Sequence, residues 1–158
     1  MTETDTASPA PQSHHGLAPF SQTTDRVFAV LVLLTAIGIV YLLGSVEPDH
    51  RGHGTHEQLG LDPCGWPQAY GKPCPTCGAT TAATWLVHGR PDRALQMHAF
   101  GAMVAALGLL GTWHALWSLI RRDSFGLRLA RLPLRRIAVL LPIVLLFSWA
   151  WNWWTWES

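Results

Sequence analysis

Three cysteines hold the reactive chemistry available to this chain: Cys64, and the pair Cys74 and Cys77 inside Cys-Pro-Thr-Cys-Gly. A thiolate is both a nucleophile and a metal ligand, so the spacing admits three uses. In a redox dithiol, Cys74 would be the nucleophile and Cys77 the resolving thiol. In a zinc or iron site, Cys64, Cys74, Cys77 and His88, or a histidine of the run His50, His53, His56, would make up the four ligands that a structural site needs. In a structural bridge, Cys64 paired with Cys74 or Cys77 would close a loop of about ten residues, restraining it by ~2–4 kcal/mol. That bridge is preferred over Cys74 to Cys77, whose short closure is strained and easily reduced. The odd count leaves one thiol over in any single-bridge scheme.

These residues need a scaffold. A thioredoxin-like dithiol sits in a βαβ setting, which this part of the chain does not offer. Pro75 suits a first helical position, so the segment reads as a helix capped by Cys74 and closed by Gly89 in a left-handed conformation. Ala82, Trp85, Leu86 and Gly89 give it one apolar face. A cysteine at a helix start feels the positive end of the dipole, which favours thiolate. A helix of ten to fourteen residues is too short to cross a bilayer, so it is re-entrant or interfacial. The histidine run is interleaved with Gly52 and Gly54 and reads as a solvated, flexible loop.

The surrounding chain is built for lipid. Of its 158 residues only 13% are charged, nine are tryptophan, and the net charge of +1 argues against nucleic acid as a partner. Apolar runs at 27–44, 99–120 and 137–154 are each long enough for a hydrocarbon core of about 30 Å. Pro142 in the third is tolerable where neighbours re-satisfy the backbone. The expectation is an all-α integral membrane protein with three transmembrane helices plus the short helix after the Cys-Pro-x-Cys motif. Residues 1–25, rich in Ser, Thr and Pro, read as a disordered tail, and 26–158 as the membrane domain. Met1 to Asp25 lacks Lys and Arg, so the first run reads as a retained anchor and not a cleaved signal.

Orientation comes from the loops. Residues 121–136 hold six arginines, which places that loop in the cytoplasm. The amino terminus is then cytoplasmic, while the cysteine loop 45–98 and the carboxyl terminus are extracytoplasmic, at the cytoplasmic (inner) membrane. Trp149, Trp151, Trp153, Trp154 and Trp156 read as an interfacial belt, with Trp113 and Trp117 as a smaller set at the other end. His98 and His114, near or inside the second span, are polar groups expected to find partners in the bundle. Gly101, Ala105 and Gly108 read as a small-residue stripe for helix packing.

The segment Cys-Pro-Thr-Cys-Gly-Ala-Thr-Thr-Ala-Ala-Thr-Trp-Leu-Val-His-Gly, together with the adjoining residues up to Gly101, resembles a family of small bacterial membrane proteins, domain-of-unknown-function family 2752. Cys74, Pro75, Cys77, Gly78, Thr80 and Gly89 sit at the places of its motif, and the resemblance covers roughly residues 60 to 155. Two departures stand out. Thr81 stands where members often have Arg, and His98-Ala99 where they have Asn-Pro, so a polar site built on those residues would be altered here. The resemblance implies the architecture and no activity.

Taken together, the sequence predicts an accessory or binding subunit of a membrane assembly, with a membrane protein partner or a second copy of itself. It shows no full catalytic constellation, which argues against an enzyme, and it names no cofactor outright. The alternatives are a membrane thiol–disulfide oxidoreductase using Cys74 and Cys77, and a metal-binding membrane protein.

Overall fold

A computed structural model describes residues 21–130 and 132–156. Three helices are long and apolar enough to cross a membrane: α1 (Gln22–Gly44), α5 (Ala99–Arg121) and α7 (Leu134–Thr155). Between α1 and α5 lie a 3₁₀ turn (Thr55–Leu59) and short helices α2 (Gly65–Tyr70), α3 (Ala79–Val87) and α4 (Pro91–Met97). Helix α6 (Phe125–Ala130) joins α5 to α7. No strand occurs among the described residues, so the all-α membrane architecture stands.

Helix α5 is the central span, packing against α1 on one side and α7 on the other. The outward faces are apolar, with Leu34 61%, Leu110 63% and Phe147 69% exposed. Leucine and phenylalanine in that number on a helix surface are matched by lipid and not by water.

At one end α3 and α4 fold back on α1 and α5. Ala82, Ala94 and Ala102, one from each of α3, α4 and α5, are nearly or wholly buried at the crossing. Small side chains there let the backbones approach closely. Gly101 belongs to the same contact, because a Cβ on it would lie 2.6 Å from the Cα of Ala79. The stripe expected to join the spans is thus split. Gly101 seats α3 tightly, whereas farther along the same apolar groove, which all three residues line, a Cβ on Gly108 would meet nothing within 4 Å.

The opposite end is closed by Asp25. Its carboxylate oxygens accept hydrogen bonds from the backbone N–H groups of Phe125 and Gly126, both at 2.7 Å. Phe125 is thereby set against Ala29 and Ala115. This corrects the boundary of the tail expected over 1–25. Ser21 caps α1, accepting from the N–H of Thr24 at 3.2 Å, and the helix starts at Gln22. A capping hydroxyl and a tethered carboxylate four residues on order a stretch too polar to order by burial alone. Residues 1–20 lie outside the described residues.

The side chain of His114 has no hydrogen bond among the described residues, against the expected interhelical bond. Ala115 and Ser118 face inward on α5, and His114, about 100° from Ala115 on the helix, faces out.

Candidate metal centre

The segment bearing Cys74 and Cys77 is a turn and not the first turn of a helix. The N–H of Cys77 donates to the carbonyl of Cys74 at 3.1 Å, and the N–H of Ala79 to that of Thr76 at 3.0 Å. Helix α3 starts only at Ala79, with Gly78 at its N-cap, φ +91. Cys74 therefore is not the cap, and the helix dipole, which fades within one turn, does not explain its acidity. Gly78 is required twice over. Its φ is left-handed, and a Cβ there would lie 2.7 Å from the carbonyl oxygen of Gly52. At the other end of α3, Gly89 has φ +74 and its N–H donates to Leu86, while that of Arg90 reaches Trp85. This is the paired-bond glycine closure expected of that position.

Three carbonyls of the turn are held by side chains of α7 and of the residue capping α5. The carbonyl of Pro73 accepts from the indole N–H of Trp149 at 3.0 Å. That of Pro75 pairs with Nε2 of His98 at 3.1 Å, and that of Cys77 accepts from the amide of Asn152 at 3.1 Å. His98 is 1% exposed. Its Nδ1 accepts from the N–H of Gly101 at 3.1 Å, capping α5, and lies 3.2 Å from the hydroxyl of Ser148. With Nδ1 accepting, the proton must sit on Nε2 and donate to Pro75, so the ring is neutral. Burial pushes its pKa down, which agrees. Where the family resemblance places Asn, His98 still serves as the cap and also reaches the cysteine turn.

Held in this way, the turn brings the sulfurs together. The Sγ atoms of Cys74 and Cys77 stand 3.1 Å apart, those of Cys77 and Cys64 3.7 Å, and all three lie within 4.8 Å of one another. Cys64 arrives from the residue before α2. All three cysteines are free. The expected Cys64 bridge to Cys74 or Cys77 is therefore not formed, because the sulfurs stand apart at more than bonding distance and no pair lies at about 2.05 Å. Two bound thiolates on a tetrahedral zinc stand about 3.8 Å apart, given Zn–S near 2.3 Å. The 3.7 Å separation of Cys77 and Cys64 is close to that value, and the 3.1 Å separation of Cys74 and Cys77 is shorter than it.

The thiols are not equivalent. Burial raises Cys77, and the adjoining Cys74 raises it further. For Cys74, burial acts upward, but hydrogen bonds with Cys77 and Thr76 outweigh it and hold this thiol below its ordinary value. The first thiolate to form is that of Cys74.

The sulfurs face a cavity of about 450 Å³ whose wall includes His53, His56, Thr76 and Thr80. His88, expected as a fourth ligand, is the C-cap of α3, at the far end of that nine-residue helix, about 13 Å away. Of the histidine run expected as a solvated, flexible loop, His50 is exposed while His53 and His56 are half-buried. Thr55 and Thr81, both 0% exposed, share a hydrogen bond of 2.9 Å that ties the 3₁₀ turn to α3. Thr81 is the residue that departs from the family's Arg.

Residues 64–113 match the family model described as a protein of unknown function, DUF2752. This segment belongs to the DUF2752 family. The match starts at Cys64 and takes in every cysteine, α2, α3, α4 and about the first two thirds of α5. It is narrower than the 60 to 155 read from the motif, and Trp149 and Asn152 lie beyond it. No curated protein and no solved structure matches the chain.

The lipid-facing belt expected of the third span holds for part of its tryptophans. Trp151, Trp153 and Trp154 are exposed as a belt requires, but Trp149 turns in to the cysteine turn and Trp156 stacks on His53 at 4.5 Å. Ser148 and Asn152, four apart, are the available signal in the sequence: two polar side chains on one face of an apolar helix mark an interior contact.

Proposed function

We propose that this is a multi-pass protein of the bacterial cytoplasmic membrane that binds a thiophilic metal ion, zinc foremost, through Cys64, Cys74 and Cys77. The single observation that carries the reading is the convergence of three sulfurs at separations suited to one tetrahedral ion. Extracytoplasmic exposure of the site is supported by the arginine-rich 121–136 loop at the other end of the spans. A binding centre on a small membrane-embedded scaffold also suits the accessory-subunit role, with the partner reached from the cysteine end.

One zinc per chain is expected by elemental analysis of the detergent-extracted protein, lost in Cys64→Ser, Cys74→Ser and Cys77→Ser alike. Full occupancy in Cys64→Ser, or a wild-type chain that takes up no zinc while all three thiols are reduced, refutes the reading.

A second reading is favoured by the 3.1 Å approach of Cys74 and Cys77 and by their unequal acidity. Here the Cys74 thiolate attacks a substrate disulfide, releasing one substrate thiolate. Cys77 then displaces the second substrate thiol, leaving a Cys74–Cys77 disulfide that an external dithiol must reduce. In that case Cys77→Ser traps a mixed disulfide, and Cys64→Ser leaves the exchange intact.

A further inference from the structure

Three sulfurs leave a tetrahedral ion one position short, and the wall of the cavity offers candidates to fill it. Asp49 and Glu57 are both engaged by Arg51, at 2.7 and 3.1 Å. His53 and His56 remain as uncommitted donors. We propose that His53 is the fourth ligand, completing a three-sulfur, one-nitrogen centre; this inference rests on the metal reading above.

Three observations single out His53. The backbone on either side is in direct contact: the Gly52 carbonyl lies against Gly78, so His53 and Cys77 are each one residue from the same touching point. His53 and Cys77 also both line a second cavity of about 240 Å³ beside the first, whereas His56 lines only the first. Finally, the imidazole is oriented by its stack on Trp156, inclined 23°, and neither ring nitrogen has a hydrogen-bond partner among the described residues. The cluster of ligand atoms within 4.8 Å holds the three sulfurs and not His53, so on binding an ion the ring turns off Trp156 toward Cys77. His56 sits on the 3₁₀ turn that Thr55 pins to α3, away from that contact.

The test is cobalt(II) added to the reduced full-length protein in detergent, read by absorption. Wild type is expected to give the intense ligand-field bands of a tetrahedral ion with three thiolates and one nitrogen. His53→Ala should shift those bands and weaken cobalt binding by roughly tenfold or more, at least matching the loss of a supporting partner. His56→Ala should leave both unchanged. His53→Cys guards against a variant that merely unfolds, because a fourth sulfur should raise the sulfur-to-cobalt charge-transfer absorption by about one third. Unchanged bands and affinity in His53→Ala, or the shift appearing in His56→Ala instead, overturn the assignment and leave the three-sulfur site standing. Absence of any tetrahedral cobalt spectrum in wild type overturns both.

Discussion

His98 and Pro75, twenty-three residues apart, are joined by a 3.1 Å hydrogen bond from a buried imidazole to a backbone carbonyl. The same ring caps α5 through Gly101. His98→Ala is expected to lose the cap, about 1 kcal/mol, and to strand the Pro75 carbonyl, another ~1–3 kcal/mol. His98→Asn should recover the cap and not the turn. Thermal unfolding in detergent gives the total, and zinc affinity separates the two, since only the bond to Pro75 bears on the sulfurs.

The neutral state of His98 gives stability a pH dependence. Its folded pKa lies below the ordinary 6.5 because burial disfavours the cation. Between the folded and unfolded values the unfolded chain binds more protons, so stability is complete above about pH 6.5 and falls as pH drops through that window. Below the folded pKa this contribution flattens. Unfolding midpoints measured from pH 8 to 5 should decline in wild type and decline less in His98→Asn. Equal slopes in the two would exclude His98 as the source.

Metal-free, reduced protein should alkylate at Cys74 first. Burial holds the Cys77 proton, while hydrogen bonding favours thiolate at Cys74. A rate difference of roughly tenfold or more is expected from timed labelling near pH 7.5 and peptide mass spectrometry. Equal rates would show that the two sulfurs share no ordered environment.

Gly78→Ala places a methyl group 2.7 Å from the Gly52 carbonyl at a φ of +91. The left-handed conformation alone costs about 1–2 kcal/mol, and the clash adds to it. A lowered unfolding midpoint together with weakened metal binding is expected, because the displaced backbone joins Cys77 to the histidine loop. Gly108→Ala, with nothing within 4 Å of the added methyl, should be close to neutral and serves as the control.

At the arginine end, Asp25→Ala removes both acceptors for the N–H groups of Phe125 and Gly126. Two charge-assisted bonds at about 1.5–3 kcal/mol each make this the largest single loss outside the cysteine site. Hydrogen exchange should accelerate in α6 and leave α3 unchanged.

The spans are legible in the sequence because an apolar run needs only length and composition to declare itself, and all three appear within a few residues of where hydropathy puts them, apart from α1 starting early. The early start is hidden because Asp25 acts through Phe125 and Gly126, a hundred positions on. The cysteines are legible as a set, but their mutual geometry is not. It depends on Trp149 and Asn152, whose neighbours Trp151, Trp153 and Trp154 do face outward, so composition assigns them all one role. His88 is close to the motif in sequence, and only the length of α3 carries it away. His53 has the flanking glycines of a solvated loop, yet the missing side chain of Gly78 is what lets the Gly52 carbonyl come into contact.

The alternating grip on the carbonyls of Pro73, Pro75 and Cys77 also works in the reverse direction. Trp149 and Asn152 ride on α7, and His98 rides on the start of α5, so the turn is strung between two spans like a bowstring between its tips. Any sliding or tilting of α5 against α7 displaces alternate peptide groups unequally and rotates the thiols relative to Cys64. The packing of those two spans and their interfacial anchors, which set helix tilt, therefore also bear on the spacing of the three sulfurs.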